Sequence, residues 1–438
     1  MKELWKSNNW IAGLQWLFFI FTNIVVIPIT VGAAYQLPPE KIVSLLQLSF
    51  IVTGLACVLQ ALLGHRRALM EGQSGLWWGV FLTLVNMSAA QGIPLEELGG
   101  SLAVGIIISG AITLIIGLSG FGPKLAKLFN PAVMGVFIFL LGVQLVGIFL
   151  KGMLGIPFGT VEEGAGIHLT YSLLSIGIVI LVILINLKAP IQLRRYGLLI
   201  GIIVGWVAFS LIFQPASEQR QTSFVVEFFP LGKPALNVGV ILTAIFAGLL
   251  NLANTFGALK GSEALYDEKT SKAQYRGCFT ITGIVNMVSG VFGLVPYAPY
   301  VSSIGFLIQS NILQRLPFIL GGLMFMVMGL VPSIGAFFSK LPLSIGSAVL
   351  FVAYLLLFQS AWSFFSQVKF NMMNAYRVAI PLFVGITIMT MPATYFDSIP
   401  MVIRPLLSSG LLVGILLAVI LENTLNWDRI GLQKENRA

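Results

Sequence analysis

The sequence predicts an all-α polytopic membrane protein of fourteen transmembrane segments, arranged as a 7+7 inverted repeat, with segments 3 and 10 each broken into a short extended strand and a half-helix. Three observations predict it. Hydrophobic residues make up 57% of the 438 positions and charged residues 9%, with a mean hydropathy of +0.94. So few charges cannot clothe a soluble surface of this size. Apolar runs recur at the length of about 20 residues that a hydrocarbon core of ~30 Å demands of a helix. Finally, Gly293 to Gly305 sets Pro296, Pro299, Ser302 and Ser303 inside otherwise uninterrupted hydrocarbon. Irregular backbone at bilayer depth survives only against protein or a wet cavity, so this stretch marks a binding site.

The first run, 10–32, follows Lys2 and Lys6 and continues past Val31 without a small-residue cleavage site. It reads as a span and not as a removable leader. Runs at 42–63, 100–120, 131–150, 170–187 and 197–214, with a shorter interrupted run at 72–91, complete the first seven. The second seven are 236–257, 278–294, the interrupted 296–311, 316–336, 343–364, 377–395 and 400–421. With the N-terminus inside, the inner segments collect Lys2, Lys6, Arg66, Arg67, Lys124, Lys127, Lys188, Arg194, Arg195, Lys260, Lys269, Lys272, Arg276, Arg315, Lys369, Arg377, Arg429, Lys434 and Arg437. The outer segments receive Lys41, Lys151, Arg220, Lys233, Lys340 and Arg404. This asymmetry places both termini in the cytoplasm, and it explains the net charge of +9 without a nucleic-acid partner.

An internal echo supports the repeat. Gly117-Leu118, Gly122 and Pro131-Ala132-Val133-Met134-Gly135 recur as Gly329-Leu330, Gly335 and Pro342-Leu343-Ser344-Ile345-Gly346. The copies enter spans five and twelve, an odd number apart, so the halves have opposite orientations. The two interrupted runs stand third in each half, the arrangement of secondary transporters with a midplane site.

A half-helix starting near Gly72-Gln73-Ser74-Gly75 and another starting near Ser302-Ser303 would aim free N–H groups and positive dipole ends at that midplane. Such ends suit carbonyl oxygens or anions. Asn254 can donate and accept, either toward a ligand or across helices. Ser302 and Ser303 can cap the second half-helix, and Tyr297 and Tyr300 can stack a ring. Trp77 and Trp78 read as packing, as do Cys57 and Cys278. Glu71 lies either on the approach to the first half-helix or in a cytoplasmic loop neutralising Arg66 or Arg67. His65 and His168 lack metal-ligand spacing and read as solvated surface. The charged stretch Gly261 to Lys272 reads as a cytoplasmic connection. No phosphate loop, zinc cluster or hydrolase triad appears, so neither an enzyme nor a cofactor is expected.

Several motifs resemble the nucleobase:cation symporter-2 family, the nucleobase/ascorbate or uracil/xanthine permeases. Gly13-Leu14-Gln15 resembles the family's G-L-Q, and Leu128-Phe129-Asn130-Pro131-Ala132-Val133-Met134-Gly135 its L-F-P-P-V-V-T-G. Tyr196 to Gly205 resembles its span-seven glycine pair. Arg276, Gly283, Asn286, Gly290, Gly293, Pro296, Tyr300 and Ile304-Gly305 follow its path through spans nine and ten. The resemblance implies a core domain (1–130 and 236–341) sliding against a gate domain (131–235 and 342–425), with a cytoplasmic tail at 426–438. It implies a secondary active permease of the cytoplasmic membrane. The substrate would be a nucleobase such as xanthine, uric acid, guanine or hypoxanthine, with H+ or Na+ as co-transported cation and a homodimer as possible assembly. It carries substrate contact onto Asn254, Ser302, Ser303, Gly75, Ser74, Tyr300 and Gln15, and half-helix or span glycines onto Gly72, Gly257 and Gly305. Gly75 stands where uracil-type relatives carry Phe, which opens room for a purine's second ring.

The chain departs from the family at two acids. Asn254 stands where the span-eight glutamate would be, and Ser302-Ser303 replace the acid or amide and asparagine of span ten. The pattern G-x-R-x-P-x-x-Q-G of some relatives aligns Glu71 with the approach to the half-helix, which makes it the proton-coupling candidate. The rivals are an anion carrier resembling the sulfate permeases, which need no carboxylate, and a nucleobase sensor without flux. Against the first, the chain ends soon after Leu421 without the soluble domain those proteins usually carry.

Overall fold

The computed structural model describes residues 7–156, 166–194, 196–213, 225–371 and 375–427. Lys2, Lys6, Arg195, Arg220, Arg429, Lys434, Arg437 and tail residues 428–438 lie outside the described residues. The helices that build the bundle are α1 (Ser7–Ile24), α2 (Val26–Ala34), α3 (Pro39–Leu62), α4 (Gly75–Gln91), α5 (Leu95–Ser119), α6 (Pro131–Met153), α7 (Leu169–Lys188) and α8 (Gly197–Phe213). They continue as α9 (Val238–Gly261), α10 (Lys272–Phe292), α11 (Ser302–Ser310), α12 (Arg315–Leu330), α13 (Leu343–Leu355), α14 (Leu357–Phe365), α15 (Tyr376–Thr390) and α16 (Gly410–Thr424). Two strands, β1 (Glu71–Gln73) and β2 (Tyr297–Pro299), complete the described elements used here.

Among the described residues, seven helices are long and apolar enough to cross a membrane, or eight if the bent pair α11–α12 is one span. Shorter apolar helices include α8, α15 and α16. α10 begins six residues ahead of the apolar run at 278. Ser271 Oγ accepts from Gln274 N and the Gln274 side chain accepts from Ser271 N, a reciprocal cap that starts the helix on polar residues.

Two packed groups emerge. In one, α5 lies along α10 and α9, while α12 lies along α3 and α1. Close backbone approach is what glycine supplies there: a Cβ at Gly110 of α5 would stand 2.8 Å from Met287 N of α10. In the other group α6 packs on α13, α14, α15 and α16, and α7 packs on α8 and α13. α4, α9 and α11 carry the polar junction described next, and α4 and α9 also touch α6.

Candidate functional site

The site is built on a two-stranded antiparallel ribbon inside the bundle. Glu71 pairs with Pro299, Gly72 with Ala298 and Gln73 with Tyr297. Gly293, at φ +66°, ends α10, and Pro296 and Pro299 withhold the donors that a helix would need. The ladder extends at both ends, with Tyr300 N donating to Met70 O and Ser74 N donating to Pro296 O, each at 2.8 Å. Each strand then turns into a helix, β1 into α4 at Gly75 and β2 into α11 at Ser302.

Alternation along β1 divides its side chains between two surroundings. Glu71 and Gln73 face α3 and α10. Glu71 Oε1 accepts from Thr282 Oγ1 at 2.7 Å, and Gln73 Nε2 donates to Ser49 Oγ at 3.2 Å. Ser74 turns to α9, where its Oγ donates to Asn251 Oδ1 at 2.6 Å. Asn254 Nδ2 donates to the same oxygen at 2.9 Å and to Ser74 Oγ at 3.3 Å. Asn251 Nδ2 closes the cluster by donating to Tyr297 O of β2 at 3.1 Å. Asn251 therefore ties α9 to both strands, at the end of the ribbon where β1 turns into α4.

Asn251 is the residue that sequence reasoning missed. Its spacing of three from Asn254 puts both amides on one helix face and was the available signal. Asn254, half-buried, makes the interhelical bond that stood as the alternative to ligand contact.

The cluster packs toward α6. A Cβ on Gly75 would stand 2.8 Å from Leu145 Cδ1, and one on Gly257 2.9 Å from Met134 Cε and 3.1 Å from Val301 Cγ2. A Cβ on Gly305 would meet nothing within 4 Å, and Ser302 is exposed. Tyr354 of α13 reaches the same seam. Its ring carbon would be 3.7 Å from a Gly75 Cβ, and its hydroxyl interacts with that of Tyr300. Tyr300 OH also donates to Gln73 O. Gly72 is packed against Met70, Ile24 and Tyr300, and Gln15 sits half-buried on α1.

Several expectations are corrected. Neither serine caps α11: its N-cap position is Val301, without a side-chain cap, and Ser303 Oγ instead accepts from Met70 N at 3.0 Å. Tyr297 is no stacking platform, being fully buried with its hydroxyl 3.0 Å from Thr53 Oγ1. His65 is buried and not solvated, with Nδ1 accepting from Arg67 N. Arg67, 1% exposed, donates to Leu259 O and Glu268 O at 2.8 Å, so the 261–272 connection folds over it. Glu71 is fully buried and forms no ion pair with Arg66 or Arg67. Trp77 and Trp78 are core, Cys57 and Cys278 are buried free thiols, and no metal-binding cluster occurs among the described residues.

This mostly helical bundle with a strand–helix ribbon at its heart has counterparts among solved structures. The transmembrane domain of a cyanobacterial bicarbonate transporter, BicA, has the same fold, with a TM-score of 0.63 over 94% of this chain and 97% of that one at 16% identity. SLC26A9 superposes equally well, over 95% of this chain and 65% of that one at 12% identity. The particular family follows from sequence. The Xan_ur_permease model, described as a permease family, matches residues 7–394, and the chain belongs to that family.

The relatives are consistent in their names. "Putative purine permease YwdJ" of Bacillus subtilis (strain 168) is 28% identical over 431 residues, 96% of each chain. Uric acid permease PucJ of the same organism is 26% identical, over 93% of this chain and 90% of that one. Its xanthine permease is 23% identical, over 94% and 93%.

Proposed function

We propose that this protein is a purine permease of the cytoplasmic membrane. One observation carries the reading: the polar cluster of Ser74, Asn251 and Asn254 lies at the β1–α4 junction of the ribbon, where α4 and α9 meet α6 of the other packed group. The base sits at that seam. Asn254 and the Ser302 hydroxyl meet its polar edge, Gly305 leaves room for it, and Tyr300 and Tyr354 close on its ring. Full-length relatives named for uric acid and xanthine support a purine over a pyrimidine.

In the same reading the chain crosses the membrane fourteen times as an inverted repeat, with both termini cytoplasmic. Residues 1–130 and 236–341 form a core that carries the base past a gate of 131–235 and 342–425. Movement of the whole core, in elevator fashion, exposes the seam to each side in turn, and a co-transported cation drives it. The likeness to a bicarbonate transporter favours one rival, an anion carrier whose half-helix N-termini hold the anion directly.

Uptake into proteoliposomes separates the two. Radiolabelled xanthine or uric acid should accumulate, and unlabelled purines should compete where sulfate and bicarbonate do not. Uptake of either anion without uptake of any base would establish the rival. Saturable purine binding with no flux would make the protein a sensor.

A further inference from the structure

Behind the ribbon, on the face away from the seam, lies a second polar cluster. Glu71, Gln60 and Thr282 are 0%, 0% and 2% exposed. Thr282 Oγ1 donates to Glu71 Oε1 at 2.7 Å, and Gln60 Nε2 donates to Thr282 Oγ1 at 3.1 Å. Glu71 Oε2 and Gln60 Oε1 are buried without a hydrogen-bond partner. No Lys, Arg or His among the described residues pairs with Glu71. The titratable groups facing it are Cys57 of α3, whose Sγ donates to Glu71 O at 3.3 Å, Cys278 of α10 and Tyr297 of β2. α1, which also packs on β1, presents no titratable side chain along Ser7–Ile24. The nearby Arg67 spends its guanidinium on Leu259 O, Ser262, Thr270 and Glu268 O.

A carboxylate buried without a counter-charge is costly in a bundle of this kind, and such residues mark ion or proton pathways. We propose that Glu71 is the site at which a proton binds and travels with the substrate. This rests on the permease reading above. One proton adds to Oε2, which neutralises the carboxylate, and it leaves from the same oxygen on the other side. The new O–H needs an acceptor, and a turn of the Gln60 amide presents Oε1 to it. The coupling element is β1 itself. Glu71 and Ser74 lie three residues apart on extended backbone, about 10 Å, with Gln73 O held by Tyr300 between them. Protonation on one face of the ribbon thus acts on the strand that presents Ser74 on the other.

The test uses purified protein in phosphatidylethanolamine–phosphatidylglycerol vesicles. Infrared spectroscopy of wild type, without substrate, should show a carboxylic-acid C=O band that Glu71→Gln removes. Glu71→Gln should keep xanthine or uric acid counterflow, which needs no net proton movement, and lose the acceleration that an inward proton gradient gives wild type. A band that persists in Glu71→Gln, a variant that responds to the gradient like wild type, or wild-type uptake driven by sodium in place of protons would each overturn the proposal. Loss of the band with no purine movement in wild type would sink the nucleobase reading and leave the proton site standing. Where Glu71→Gln fails to insert, Thr282→Val keeps the carboxyl but removes its donor. A shifted C=O band is then expected, and an unshifted one would refute the assignment.

Discussion

The two strand–helix units of the ribbon differ in how they are held. β1–α4 is enclosed: Ser74 is bonded to Asn251, Gly75 lies against Leu145, and α4 runs for 17 residues with Trp77 and Trp78 fully buried. β2–α11 is open: α11 has only 9 residues, ends at Asn311 with φ +55°, and bends by 118° into α12. Ser302 and Gly305 face no neighbour closely. The same device, a helix N-terminus set inside a bundle, thus appears once as an anchor and once as a free end. The free end is where Ser302 and the open face at Gly305 remain available to a ligand.

That contrast can be broken most severely at its hub. Asn251→Leu takes a hydrogen-bond partner from Ser74 Oγ, Asn254 Nδ2 and Tyr297 O at once, a loss of about 1–3 kcal/mol for a buried group left unsatisfied. The variant should lose several degrees of thermal stability and nearly all uptake. Wild-type melting in detergent would show that Asn251 does not join the two units.

At the seam, Gly75→Phe should abolish uptake by driving its ring into Leu145 and Tyr354, an overpacking penalty of about 1–3 kcal/mol or more. Retained xanthine uptake in that variant would move the substrate away from α4. Asn254→Leu should weaken purine binding roughly tenfold to a hundredfold, from about 1–3 kcal/mol of lost hydrogen bonding. An unchanged dissociation constant in isothermal titration would leave Asn254 as a purely interhelical contact. At the open end, Gly305→Ala should change stability least of all, since its Cβ meets nothing within 4 Å. A drop in melting temperature as large as that of Gly75→Phe would show that both ends are enclosed alike.

Composition and run length make the membrane class legible in the sequence, because hydrocarbon depth sets helix length directly. The irregular backbone near 293–301 is legible too, since Pro296, Pro299 and Gly293 each withhold something a helix requires. Partners far apart in sequence are not. Nothing local says that Arg67 reaches Leu259 and Glu268, or that Asn251 reaches Ser74 and Tyr297. A side chain's hydrogen-bonding capacity is fixed by its type, but its partner is fixed only by packing. His65 shows the same limit. Beside two arginines it looks solvated, yet it is fully buried, with Gln274 Nε2 of α10 donating to His65 O. The serines at 302 and 303 have the chemistry of caps, but the ribbon gives Ser303 a different donor, Met70 N.

The central claim is that a purine occupies the seam between the Ser74–Asn251–Asn254 cluster and the open start of α11, within reach of Ser302. It is tested most directly by substrate protection of Ser302→Cys from a membrane-impermeant thiol reagent, with Cys57 and Cys278 first replaced by alanine. The account predicts that xanthine or uric acid slows the reaction in a saturable manner while sulfate and bicarbonate leave it unchanged. Protection by either anion and by no base, or unaltered labelling in the presence of every purine that the protein binds, would contradict it.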